Sequence, residues 1–146
     1  MCGRFVRAIS IEDMCRAFGI KPPELVDLQP RYNIAPGQMV AAVRSVNGGQ
    51  RELVELRWGL IPSWSKDEKI GYKMINARSE TVHEKPSFRH AIRNRRCIVP
   101  ASGFYEWRRQ GGSKIPHFIR RADEGIMSIA GLYDRWTAPD GHTIES

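Results

Sequence analysis

Short apolar runs separated by glycine- and proline-bearing turns set the pattern of this chain, and most of the runs have strand length. Residues 2–7 read as a first short strand. Residues 39–46 and 51–58, rich in Val, Leu and Trp, flank Asn47-Gly48-Gly49 and predict a β-hairpin. Further strands are predicted at Cys97 to Pro100, at Phe104 to Arg108, and, past a turn at Gln110-Gly111-Gly112, at Ile115 to Arg120. Ile126 to Leu132 gives one more. Helical spacing is rarer. Ser10 opens a helix with a capping box to Asp13; Met14, Cys15 and Phe18 share its apolar face, and Gly19 stops it. Pro86 to Arg93 predicts a second helix, with Pro86 suited to its first turn.

Between these elements, Lys21 to Pro36 is proline-rich and irregular, and residues 60–76 read as a loop carrying Pro62 and Trp64. Gly141 to Ser146 show no terminating element. Several strands with two or three helices predict the α+β class, mostly antiparallel. With 146 residues, no repeat and no low-complexity linker, residues 1–146 are expected to form a single domain with a core of its own.

Composition narrows the class. Hydrophobic content of 41% with 27% charged residues excludes a disordered chain. The net charge of +7 is read either as a well-solvated basic face or as a surface for a polyanion, since guanidinium forks match phosphate geometry. Cys2, Cys15 and Cys97 are too few and too scattered for a disulfide framework or a zinc site. Cys15 and Cys97 are expected in the core. His83, His90, His117 and His142 lack metal-ligand spacing, and no metal or other cofactor is expected. No run approaches a membrane span and residues 1–20 lack a signal-peptide core, so no membrane partner is expected. A cytoplasmic protein, nucleoid-associated if prokaryotic, is the expectation.

The candidate chemistry begins at Met1-Cys2-Gly3. Removal of Met1 would leave an N-terminal cysteine, whose α-amine (pKa ~7.7–8.0) and thiol (~8.5) sit on adjacent carbons. Such a 1,2-aminothiol condenses with an aldehyde to a Schiff base and closes to a thiazolidine. An internal cysteine cannot do so, because its nitrogen is locked in an amide. Asn76, a polar amide in the apolar run Met74-Ile75-Asn76-Ala77-Arg78, reads either as a strand-end residue bonding a turn or as an orienting group for substrate oxygen. Glu106, a carboxylate among the rings of Gly103-Phe104-Tyr105-Glu106-Trp107, reads either as a desolvated acid/base or as a water-facing strand residue. Arg4, Arg78, Trp64 and Trp107 suit single-stranded nucleic acid, where phosphates meet arginine and bases stack on rings; packing tryptophans are the plain alternative.

Five segments together resemble the SOS-response-associated peptidase (SRAP) family: Met1-Cys2-Gly3-Arg4-Phe5, Arg31-Tyr32-Asn33-Ile34-Ala35-Pro36-Gly37, Trp58-Gly59-Leu60-Ile61-Pro62, Ile75-Asn76-Ala77-Arg78-Ser79-Glu80 and Gly103-Phe104-Tyr105-Glu106-Trp107. The resemblance implies a strongly bent or barrel-like, mostly antiparallel sheet surrounded by a few helices. It also implies a monomeric protein that binds abasic sites in single-stranded DNA and joins Cys2 to the ring-opened sugar aldehyde. In that role Cys2 is the nucleophile, Asn76 holds the sugar or the amine, and Glu106 is the acid/base. Arg4, Asn33, Trp64, Arg78 and Trp107 are then expected along the DNA cleft. A Cys2-dependent autoproteolysis would remove Met1. The family's downstream Ile-His-x-Arg-Met-Pro-type segment has no counterpart here, so the domain is expected to be incomplete at its C-terminal end and reversal of the crosslink impaired. Two other readings stand beside this one. A glutaminase-like N-terminal-nucleophile amidohydrolase would also begin Met-Cys-Gly, and a non-catalytic basic module would bind nucleic acid without needing Cys2.

Overall fold

The computed structural model describes residues 2–22 and 28–146. Among the described residues, ten strands and two α-helices follow one another as β1 (Phe5–Arg7), α1 (Ile11–Phe18), β2 (Arg31–Ile34), β3 (Met39–Ser45), β4 (Arg51–Arg57), α2 (Ala91–Asn94), β5 (Arg96–Ala101), β6 (Gly103–Gln110), β7 (Ser113–Ile119), β8 (Met127–Leu132), β9 (Arg135–Thr137) and β10 (Thr143–Glu145). They form two four-stranded sheets, β2-β1-β6-β7 and β4-β3-β5-β8, with β9 and β10 as a separate ribbon; every pairing is antiparallel. The α+β expectation is met. The barrel is not, because among the described residues the two sheets do not close on each other.

The two sheets meet over Phe5, Ile34, Val40 and Ala101, and Cys2, Trp58, Phe104 and Ile129 pack against that cluster. Cys2, a candidate site residue, is thus anchored on the core between the layers. On the outer side of the second sheet, α1 seats Met14 against Ala41, Val43 and Leu53. Its start is fixed as the sequence predicts: the Asp13 amide donates to Ser10 Oγ at 3.0 Å, and the Ser10 hydroxyl donates back to Asp13 Oδ2 at 2.8 Å. At its end Gly19 takes the left-handed conformation (φ 63°). Cys15 and Cys97 are both buried, as expected.

Three expectations are corrected. Within the stretch read as irregular, Arg31–Ile34 form β2, because Ile34 pairs opposite Phe5 and completes the inter-sheet core; Pro23 to Asp27 lie outside the described residues. The helix expected over Pro86 to Arg93 is regular only as α2. The Lys85 carbonyl is shared by the amides of Phe88 and Arg89, so the preceding turns alternate between tight and wide spacing. Finally, Gly141 to Ser146 do carry an element. β10 pairs with β9, and Ser146 exchanges both backbone hydrogen bonds with Asp134 (2.8 and 3.0 Å) while its hydroxyl oxygen accepts from the Ile61 amide at 2.7 Å. The loop at 60–76 also contains a six-residue 3-10 helix, Glu68–Lys73, whose first turn is capped by Asp67.

Candidate functional site

A cavity of about 200 Å³ opens between the sheets, with Cys2, Phe5, Trp58, Asn76, Cys97 and Gly131 among its walls. Its rim is built by a close approach of two glycines. Gly59 has φ 128°, and a Cβ placed there would lie 2.5 Å from the Gly71 carbonyl oxygen; one on Gly71 would lie 2.8 Å from the Gly59 oxygen. Only two residues without side chains let these backbones touch. The contact carries the segment after the 3-10 helix alongside Trp58 to Leu60. There the Leu60 amide donates to the Met74 carbonyl at 3.1 Å, and Trp58 Nε1 donates to the Ile75 carbonyl at 2.9 Å. Trp58 in turn stands edge-on to Phe5, centroids 5.3 Å apart.

Asn76 is therefore delivered to a fixed position, and its Nδ2 donates to the Cys2 carbonyl oxygen at 2.8 Å. The amide thus holds the backbone of the residue that carries the candidate nucleophile. The Cys2 thiol is half-buried and points back to the Arg4 carbonyl, Sγ to O 3.4 Å. Burial pushes this thiol up from its ordinary pKa, and the negative charge of Glu106 pushes the same way. Glu106 lies on β6 directly opposite His117 of β7 and on the same face as Phe104, which packs with Cys2 on the inter-sheet core. Its exposure is intermediate.

Arg4 and Asn33 meet at the surface, Arg4 Nη1 donating to Asn33 Oδ1 at 2.9 Å. Arg78, two residues beyond Asn76, is exposed. Trp64 and Trp107 are brought to the surface but not to the cavity. Trp64 is 59% exposed in a shallow basin with Lys66, Lys69 and Lys73, and Trp107 is 41% exposed beside Arg109 and Lys114 on the β6–β7 hairpin. The plain reading of tryptophans as packing residues fits Trp58 and Trp136 instead, the latter buried among Ile61 and Ala138. Sequence reasoning missed Trp58 as a site-building residue and missed the lysine basin altogether. The signal for the first was present in Trp58-Gly59, an aromatic next to a residue that permits close backbone approach. For the second, lysines 66, 69 and 73 recur at helical spacing.

The model of one protein family, the SOS response associated peptidase (SRAP) family, matches residues 1–146. Among curated proteins, the chain is 46% identical over 147 residues to the abasic site processing protein YoqW of Bacillus subtilis, covering 99% of this chain and 65% of the relative. It is 32% identical over 181 residues to the abasic site processing protein HMCES of Xenopus tropicalis, covering 97% of this chain and 54% of that one. The chain thus spans just under two thirds, or about half, of these relatives' lengths. Among solved structures, a protein from Bacteroides thetaiotaomicron superposes with a TM-score of 0.82 at 31% identity, over 99% of this chain and 65% of that chain. One from Bordetella bronchiseptica gives 0.82 at 33% identity, over 99% and 69%.

Proposed function

The chain belongs to the SOS response associated peptidase (SRAP) family, and from that premise we propose that it captures abasic sites in single-stranded DNA as a covalent adduct of Cys2. The observation that carries this reading is the Asn76–Cys2 hydrogen bond at the wall of the inter-sheet cavity, with Glu106 close enough to act on the thiol by charge. Two curated relatives are named for abasic site processing, which supports the substrate class.

The chemistry follows from the groups present once Met1, which lies outside the described residues, has been removed in a Cys2-dependent autoproteolysis. An abasic sugar is mostly a closed hemiacetal, and Glu106 serves as the proton-transfer group that opens it to the aldehyde. Burial keeps the thiol protonated, so the α-amine attacks the aldehyde carbon first. Loss of one water from the carbinolamine gives the imine. The thiol then adds across the C=N bond: sulfur bonds to carbon, its proton passes to nitrogen, and the thiazolidine closes with no change in oxidation state. Asn76 holds the Cys2 backbone so that nitrogen and sulfur face the same carbon. Arg4 and Arg78 meet flanking phosphates, Asn33 orients Arg4, and Trp64 and Trp107 offer rings for unpaired bases.

The test mixes the protein with an oligonucleotide bearing one abasic site, single-stranded or annealed, and resolves the products on a denaturing gel. A heat-stable shifted band from the single strand that vanishes in Cys2→Ala, with intact mass reporting loss of Met1, is expected. Unmodified single-stranded oligonucleotide would overturn the reading.

A further inference from the structure

Trp64 presents a large apolar ring to solvent, yet the backbone on both sides of it is tied down. The Ser63 amide donates to Asp134 Oδ2 at 3.0 Å, and the Ser65 carbonyl accepts from Trp136 Nε1 at 2.7 Å. Between them the turn closes on itself, Ser65 N to the Pro62 carbonyl at 2.8 Å. Both tethers come from one place, the start of the β9–β10 ribbon, and both partners are buried, Asp134 at 3% and Trp136 at 4% exposure. Asp134 is itself fixed by the Arg95 guanidinium and by the two backbone hydrogen bonds with Ser146. A loop that merely connected two elements would not require its exposed tip to be gripped from either side by buried groups 71 residues later in sequence.

We infer that Asp134 and Trp136 are positioning residues that preorganise the Trp64 indole as a stacking platform for a base of single-stranded DNA. This rests on the proposed reading for the identity of the strand. Fixing the backbone that carries the ring in advance removes the ordering cost that an exposed, free loop would incur on binding. The surroundings suit the same ligand. Lys66, Lys69 and Lys73 share the basin with Trp64, and the helix that carries Lys69 and Lys73 runs directly into Met74, Ile75 and Asn76 of the cavity wall. A strand leaving the Cys2 centre would pass its phosphates over these lysines before a base reached the indole.

The decisive experiment is a double-mutant cycle in affinity for an undamaged single-stranded oligothymidine. Trp136→Phe deletes the Nε1 donor and keeps the packed ring; Trp64→Ala deletes the platform. Each is expected to weaken binding by about tenfold. In the Trp64→Ala background, Trp136→Phe should have no further effect, because the group it positions is gone. At saturating abasic oligonucleotide the crosslinking rate of Trp136→Phe should equal that of the parent, since the chemistry lies elsewhere. Asp134→Asn, whose single oxygen is drawn to Arg95 and the Arg135 amide so that its NH2 faces the Ser63 donor, breaks the other tether and repeats the cycle should Trp136→Phe fail to fold. Additive losses, or unchanged affinity in both single variants at Trp136 and Asp134, overturn the inference while crosslinking by the parent stands. A parent that binds oligothymidine with the expected coupling but forms no adduct overturns the crosslinking reading and leaves the platform intact.

Discussion

Asn76 Nδ2 donates to the carbonyl oxygen of Cys2 at 2.8 Å across 74 residues of sequence. The bond uses the amide's donor end, so the substitutions that test it are distinguishable. Asn76→Ala removes the tether, and Asn76→Asp replaces a donor by an acceptor facing another acceptor. Each is expected to slow adduct formation by roughly 10–100-fold, the cost of a reacting group misplaced by about an ångström. The loss of stability for the alanine variant should be only about 1 kcal/mol, since the site is partly open to water. Single-turnover gel kinetics and thermal melts measure the two separately. Equal rates in Asn76→Asp and parent would show that the tether does not act on the reaction.

Cys2→Ser separates the two steps assigned to the N-terminal residue. Serine keeps the α-amine and so keeps imine formation, but its hydroxyl is a weaker nucleophile than the thiol for closing the ring. The expected product with an abasic strand is therefore heat-labile, and becomes stable only after hydride reduction of the C=N bond. The parent adduct should survive heating without hydride. Gel lanes with and without borohydride read the difference, and a heat-stable Cys2→Ser band without reductant would rule out thiol closure as the stabilising step.

Cys97, on the wall of the same cavity but given no part in the proposed chemistry, provides a pH signature. Burial against Ala42, Leu56 and Tyr133 pushes its thiol up to about 11 from an ordinary 9.0. The folded protein thus holds this proton where the unfolded chain has released it. The neutral thiol's contribution is fully present below about pH 9 and is lost as pH climbs toward 11, an effect worth about 2–3 kcal/mol. Denaturant unfolding at pH 8, 9.5 and 11 should show a steeper fall for the parent than for Cys97→Ala, which has no such proton. Parallel pH profiles for the two proteins would contradict the assignment.

Legibility in the sequence tracked how local each determinant is. α1, the Asn47 to Gly49 hairpin and the β6–β7 turn were readable because caps and turn glycines lie within a few residues of what they terminate; Gly111 and Gly112 have φ 55° and 81°, as a tight hairpin asks. β2 and β10 were not, because neither has local strand character. Arg31–Ile34 become a strand only when Ile34 finds Phe5, and Thr143–Glu145 only when the ribbon finds Trp136. The same holds for the site. Cys2, Asn76 and Glu106 were each suspected from residue type, and the approach of Asn76 to Cys2 depends on the contact between Gly59 and Gly71, which no spacing announces. Trp64 and Trp107 could be named as candidate rings, but composition could not separate them from packing tryptophans such as Trp58 and Trp136; only the fold shows which are exposed.

That glycine contact yields the sharpest mutational test of how the fold builds the site. A methyl on Gly59 would sit 2.5 Å from the Gly71 oxygen, and the backbone there, at φ 128°, is one that side-chain-bearing residues rarely adopt. Gly59→Ala should therefore cost on the order of 3 kcal/mol or more, from clash and strain together. Gly71→Ala meets the clash without the left-handed strain, and should cost less. Gly3→Ala, with open space around the new methyl, is the control and should melt with the parent. Because both glycines guard one contact, the double variant should lose less than the two single losses added. The functional consequence is as specific: if the contact opens, Ile75 and Asn76 withdraw from Cys2. A Gly71→Ala protein that remains folded at low temperature should then form adduct as slowly as Asn76→Ala. Normal adduct kinetics in a folded Gly71→Ala variant would mean that Asn76 is held in place by Trp58 alone.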